Sequence, residues 1–126
     1  MQSSEEKFSV MRRAKSFAHA WRGIRIFIKT THNAWLHVAA FVLVIAASVY
    51  FSITRAEWIA ITFAAGFVFA AEAFNTAIEI DMDLTSPEFH PFARDTKDVA
   101  AAAVLIAAVT AVVIGGFVFG PYIITP

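Results

Sequence analysis

The chain of 126 residues contains no cysteine, only five glycines and four prolines, and few charges, with ten basic and ten acidic residues. The absence of cysteine excludes disulfides, thiolate metal sites and cysteine nucleophiles. Apolar side chains are abundant instead: 59% of the residues are hydrophobic, and the chain has 13 Phe. A short water-soluble chain would struggle to bury that much apolar surface. The composition therefore predicts one small domain in a membrane.

Three apolar segments predict three membrane-spanning helices. They cover about residues 34–53, 57–84 and 96–120. The stretch between the second and third segments, "DLTSPEFHPFARDTKD", contains two prolines and predicts a loop. The predicted fold class is an all-α membrane protein, with an N-terminal surface helix and three transmembrane helices in a single domain of residues 1–126.

The predicted surface helix covers about residues 8–30. Apolar residues recur there at helical spacing, and basic residues follow the same period on another face. A helix with Lys and Arg on one face and Trp and Phe on the other lies along a membrane surface. A basic anchor with no further role is the alternative. The apolar face consists of Val10, Met11, Ala14, Phe17, Trp21, Ile24 and Ile28.

The distribution of basic residues predicts the orientation of the chain in the membrane. Seven of the ten lie within the first thirty positions, Arg94 and Lys97 lie between the second and third apolar segments, and Arg55 lies between the first and second. Because cytoplasmic regions carry an excess of Lys and Arg, we expect the N-terminus and the second connection to be cytoplasmic. The acidic end of the second span then faces the compartment that supplies ATP and Mg²⁺.

The second apolar segment ends in the acidic stretch "AEAFNTAIEIDMD", which places polar groups where charge is costly. At about 100° per residue, Asp81 points away from the other polar residues of the stretch. An ionisable residue inside a span indicates a functional site, although an interhelical hydrogen bond is the alternative for Glu72 and Asn75. One face of the helix collects Glu72, Asn75, Thr76, Glu79 and Asp83.

The order of these groups indicates a reaction. Glu72 follows the apolar run "FAAGFVFAA", and a carboxylate there can accept a proton from an alcohol. Glu79 lies about 10 Å further along the same face by helix rise, where it can bind Mg²⁺ together with water and phosphate oxygens. With basic residues for phosphates, this arrangement suggests phosphoryl transfer to a lipid alcohol. The chain lacks a P-loop, a kinase glycine-rich loop and "DFG", which excludes the known soluble kinase folds.

Three blocks of sequence carry a family resemblance: "SFAHAWRGIRIFIKTTHNAWLH", "AEAFNTAIE" and "SPEFHPFARDTKDVAAAAVLIA". Over about residues 8–120 the chain resembles the small prokaryotic integral-membrane lipid kinases, which include diacylglycerol kinase and undecaprenol kinase. The resemblance implies a homotrimer in the bacterial cytoplasmic (inner) membrane, with active sites shared between neighbouring subunits. It also implies a lipid alcohol as substrate, ATP as co-substrate and Mg²⁺ as cofactor. No nucleic-acid partner is expected.

The resemblance also implies roles for individual residues. Glu72 matches the general base, and Asn75 lies beside it on the lipid hydroxyl. Trp21 matches an aromatic residue near the lipid, Glu79 matches a metal ligand, and Asp83 matches an acid towards the adenosine side. The positions that match nucleotide-binding residues are Arg12, which also matches a substrate contact, His19, Glu88, His90, Lys97 and Asp98.

The chain departs from the family pattern at the entry to the first span. Where the family places a second metal-binding Glu, the sequence reads Thr31-His32-Asn33, and Thr31 is a poor ligand for Mg²⁺. This favours, as an alternative function, a catalytically impaired member that binds nucleotide or lipid as a membrane subunit. His32 and His37 are interpreted as residues that form hydrogen bonds at the membrane interface.

Overall fold

A computed structural model describes residues 2–31 and 34–125, and within these ranges the side chains from Ser9 onward. The chain divides into two compact units, Met1–Ala34 and Trp35–Pro126. The regular structure of the described ranges is entirely helical, which confirms the predicted all-α fold. The four helices are α1 (Gln2–Thr30), α2 (Ala34–Tyr50), α3 (Arg55–Thr85) and α4 (Pro91–Ile124).

Helix α1 forms the first unit and is longer than the predicted surface helix of about residues 8–30, since it begins at Gln2. The side chains of residues 9–25 are all exposed. Among them, Phe17 and Trp21 leave 80% and 60% of their surface uncovered. A helix that lies on a membrane needs such uncovered aromatic side chains, and the surface role of α1 stays a prediction.

The second unit contains the candidate membrane spans. With 31 and 34 residues, α3 and α4 are each long and apolar enough to cross a membrane. Helix α2 has 17 residues, and a third span results only if α2 is counted together with the end of α1. At 1.5 Å per residue α2 is roughly 25 Å long, slightly less than the hydrocarbon thickness of a bilayer. Two spans are therefore supported, and the third stays a prediction.

The predicted loop between the last two spans is wrong in extent. Only residues 86–90 are outside the helices, and α4 begins at Pro91 rather than near residue 96. Proline is favourable at the first helical position, where its missing N–H has no intrahelical partner to lose. His90 caps the helix, because its Nδ1 accepts a hydrogen bond from the N–H of Phe92 at 3.1 Å. The second proline of the stretch therefore starts a helix instead of breaking one.

The turn between α2 and α3 ends the first predicted span earlier than expected. Helix α2 stops at Tyr50 instead of residue 53, since Ser52 takes a φ of 51°, in the left-handed region. Thr54 then caps α3. Its hydroxyl accepts a hydrogen bond from the N–H of Glu57, and the Glu57 carboxylate accepts one from the N–H of Thr54. This reciprocal capping box defines where α3 begins.

The end of the bundle next to this turn holds its apolar core. Ile53, Ile61 and Val118 are buried together there. The hydroxyl of Tyr122 donates a hydrogen bond to Oε2 of Glu57 at 2.6 Å. These contacts join the start of α3 to the end of α4. The two helices are therefore antiparallel neighbours, and the acidic end of α3 and the start of α4 meet at the opposite end.

Candidate active site

The deepest polar group of α3 is Glu72, which is buried, with 8% of its surface exposed. Thr76, one turn further along, is also buried, and Asn75 is half-buried. Glu79 and Asp83 follow on the exposed part of the helix. The polar face that the sequence predicts thus runs from buried to exposed along one unbroken helix.

Helix α2 supplies a partner for Glu72. Nε2 of His37 lies 3.0 Å from Oε1 of Glu72, and the two side chains are 33% and 11% exposed. The sequence interpretation of His37 as an interfacial hydrogen-bonding residue missed this contact. The two residues are far apart in the chain, and no local spacing connects them. The sequence offered only one indication of this contact: a polar residue stands near the start of one apolar segment, and a carboxylate stands within the next.

Asn75 has unused hydrogen-bonding capacity. Its Oδ1 is buried and has no hydrogen-bond partner among the described residues. Buried polar atoms in folded proteins are nearly always paired, and a group without a partner marks a place where a ligand can bind. Because Asn75 lies about one turn from Glu72 on α3, such a ligand would also reach the carboxylate.

A crevice of about 380 Å³ lies between α2, α3 and α4 in the second unit. Its walls are apolar, formed by side chains such as Phe41, Phe69 and Val112 and by several alanines. His37 is the one polar residue that lines it. The His37–Glu72 pair therefore lies where a largely apolar cavity meets the polar face of α3.

The predicted metal ligand, Glu79, is exposed. In the ranges that the structure describes, no group of three or more His, Cys, Asp or Glu side chains could hold a metal ion. A magnesium site built from protein ligands alone does not fit these residues. A single carboxylate does fit Mg²⁺ that arrives with a nucleotide, since phosphate and water supply most of its ligands.

The nucleotide-binding candidates of the second unit lie where α3 ends and α4 begins. Nζ of Lys97 donates a hydrogen bond to Oδ1 of Asp83 at 2.6 Å. Asp98 and Glu88 are exposed, and His90 occupies the cap of α4 described above. Lys97 and Asp83, which the sequence treated separately, are therefore brought together as an ion pair.

The remaining candidates belong to the first unit. Arg12, His19 and Trp21 all have exposed side chains on α1. Thr31 follows the end of this helix and is half-buried, and its N–H donates to the carbonyl of Phe27 at 2.9 Å. His32 lies outside the described residues, so the interfacial hydrogen bond predicted for it is not addressed.

A buried carboxylate beside an apolar crevice, in helices apolar enough to cross a membrane, defines an integral membrane protein with a polar site at the level of the apolar segments. Residues 18–119 match the sequence model of prokaryotic diacylglycerol kinase. The chain belongs to this family of membrane kinases.

The alignments with individual relatives cover most of this chain. Undecaprenol kinase from Bacillus subtilis (strain 168) is 37% identical over 121 residues, which cover 96% of this chain and 98% of that protein. A diacylglycerol kinase from Synechocystis sp. is 38% identical over 110 residues, 84% of this chain and 61% of the relative. The diacylglycerol kinase of Escherichia coli (strain K12) is 28% identical over 106 residues, 79% and 81% of the two chains.

The ion pair between Lys97 and Asp83 yields a prediction. Both side chains are well exposed, 40% and 71% respectively, and exposed pairs of this kind are weak. We expect Asp83→Asn to release the ammonium for nucleotide phosphate and to lower the KM for ATP by roughly two- to fivefold. Steady-state kinetics would measure this change. Asp81→Asn is the matched control, since it makes the same charge change on the other side of α3. A higher KM in Asp83→Asn would instead mean that Asp83 holds Lys97 in its binding position or contacts the nucleotide.

Proposed function

We propose that the protein is an ATP-dependent lipid kinase, which transfers the γ-phosphoryl group of MgATP to the primary hydroxyl of diacylglycerol or undecaprenol. The observation that carries this proposal is the buried carboxylate of Glu72, which lies 3.0 Å from His37, a residue that lines the apolar crevice. A lipid alcohol combines a hydrocarbon chain with a hydroxyl group, and this site offers apolar walls beside a buried carboxylate. Membership in a family of lipid kinases supports the same reaction.

The reaction needs few protein groups. Glu72 accepts the hydroxyl proton of the lipid while the oxygen attacks the γ-phosphorus. A new P–O bond forms, the bond to the β-phosphate oxygen breaks, and ADP leaves. Asn75, whose Oδ1 lacks a partner, has capacity for one hydrogen bond to the bound lipid. Trp21 on α1 contacts the lipid in this proposal.

The nucleotide is held by residues at the exposed end of the polar face. In this proposal Glu79 contributes one carboxylate to the Mg²⁺ that the phosphates carry. Cationic side chains neutralise charge on the transferring group, which is the main source of rate enhancement in phosphoryl transfer. The proposed nucleotide contacts are Arg12, His19, Glu88, His90, Lys97 and Asp98.

The arrangement in the membrane is part of the proposal. The family resemblance supports a homotrimer with sites shared between subunits, which the mass of the purified complex in detergent would test.

The excess of basic residues supports a cytoplasmic N-terminus and a cytoplasmic connection at residues 86–90. Cysteine labelling decides the orientation in this cysteine-free chain. A membrane-impermeant reagent outside intact cells should label the Ala56→Cys variant and leave the Ser86→Cys variant unlabelled. The reverse pattern would refute the proposed orientation.

Removal of the proposed base gives the sharpest test of the mechanism. Glu72→Gln keeps the size and the hydrogen-bonding groups of the side chain but cannot accept the proton. We expect the rate of lipid phosphorylation to fall by about 10²–10⁴-fold, while assembly of the purified protein stays normal. Transfer of labelled phosphate from ATP to a lipid alcohol in micelles measures the rate. Near-normal turnover in the variant would eliminate Glu72 as the base.

Substitution of Thr31 tests the alternative function, a catalytically impaired binding subunit. If position 31 faces the metal, Thr31→Glu restores a carboxylate ligand and should lower the Mg²⁺ concentration for half-maximal activity by roughly tenfold. A titration of activity against Mg²⁺ measures this, with Thr31→Gln as the uncharged control. An unchanged Mg²⁺ dependence would show that position 31 does not face the metal. If the wild type and Thr31→Glu phosphorylate no lipid alcohol, the binding-subunit function replaces the kinase.

A further inference from the structure

We propose that His37 is a positioning residue for Glu72: its Nε2–H donates a hydrogen bond to Oε1 of the carboxylate and leaves Oε2 free to face the lipid hydroxyl. This inference rests on the proposed function, because it assigns a partner to the proposed base. Its structural basis is the 3.0 Å separation of the two atoms between α2 and α3.

The surroundings of the pair favour this role. Glu72 is largely buried, so its carboxylate has little water to bind and depends on protein groups for hydrogen bonds. His37 lines the crevice with apolar neighbours. Phe41, one turn along α2, packs edge-on against Phe69, one turn before Glu72 on α3, with ring centroids 5.6 Å apart. This aromatic contact is a second link between the two helices, about one turn from the imidazole and the carboxylate.

The physical effect of the contact is on orientation. The terminal torsion of a Glu side chain has a broad, two-fold preference, so an unanchored carboxylate samples many directions. A hydrogen bond to one oxygen fixes the plane of the group and aims the second oxygen. Hydrogen bonds at catalytic sites tighten when substrate binds, and a misdirected reacting group lowers rates by about 10²-fold. The proton of the lipid hydroxyl goes to Oε2, and His37 keeps its own proton throughout.

The alternative to this proposal is that His37 is itself the proton acceptor. In the reverse arrangement the imidazole takes the hydroxyl proton, and Glu72 only orients the ring. Glutamine separates the two cases, since its side-chain N–H donates a hydrogen bond with a similar reach but cannot accept a proton at that nitrogen. Leucine provides neither function and retains a comparable apolar volume.

The experiment compares purified wild type, His37→Gln and His37→Leu with diacylglycerol and with undecaprenol as substrates. We expect His37→Leu to lower kcat by roughly 10–100-fold with little change in the KM for ATP, and His37→Gln to restore most of the kcat. In a Glu72→Gln background, His37→Leu should have no further effect, since the residue that it positions is already absent. Val38→Leu, an exposed neighbour on α2, is the control for changes in the helix itself.

The outcomes separate this inference from the proposed function. If the wild type phosphorylates neither lipid, the kinase function fails, and the inference fails with it. If the wild type is active and His37→Leu matches it, only the inference is overturned. Equal loss in His37→Gln and His37→Leu would also overturn it, because a hydrogen-bond donor at this position would then not be sufficient. Should His37→Leu fail to assemble, His37→Met takes its place with the same expected loss of kcat.

Discussion

The buried carboxylate of Glu72 is the constraint on which the rest of the second unit depends. An ionisable group among apolar side chains destabilises the fold unless a polar group is paired with it. His37 is that partner, and because it lies on α2, the pair brings this helix against α3 at the level of Glu72. The contact between Phe41 and Phe69 joins the same two helices, one turn away. At the other end of the bundle the start of α3 is joined to the end of α4, so the helices are held at two levels with the apolar crevice between them.

The polar face of α3 changes from buried at Glu72 to exposed at Glu79 and Asp83. This gradient answers a difficulty that any lipid kinase must meet: the alcohol is anchored in hydrocarbon, whereas the nucleotide is highly charged and stays in water. Under the proposed function, the proton acceptor lies at the depth of the lipid hydroxyl and the groups for Mg²⁺ and phosphate lie two to three turns closer to solvent. In this proposal a single helix of 31 residues serves both substrates.

Much of this architecture could be predicted from the sequence, because hydropathy and helical periodicity depend on neighbouring residues. The bounds predicted for the second span, about residues 57–84, differ from α3 by at most two residues at either end. Pro91 was misread because proline both ends and starts helices, and only the capping contact at His90 decides between the two. The pairs His37–Glu72 and Lys97–Asp83 could not be predicted, since each joins different helices and depends on how those helices pack. The polar face itself was predictable, and its partners were not.

Under the proposed function, the departure at Thr31 is expected to affect metal affinity more than the mechanism. Mg²⁺ prefers six oxygen ligands and gives up its water reluctantly, so sites that bind Mg-nucleotides commonly use only one or two protein carboxylates. Under the proposed function, Glu79 on the exposed part of α3 would supply one carboxylate to Mg²⁺ bound with the nucleotide. A site without the second carboxylate would attract the cation less strongly, whereas the proposed proton acceptor and its partner lie deeper and do not depend on that ligand. Under the proposed function, Glu72, Asn75 and His37 supply the groups for the chemical step, and the substitution at position 31 is expected to change the Mg²⁺ concentration at which the step occurs.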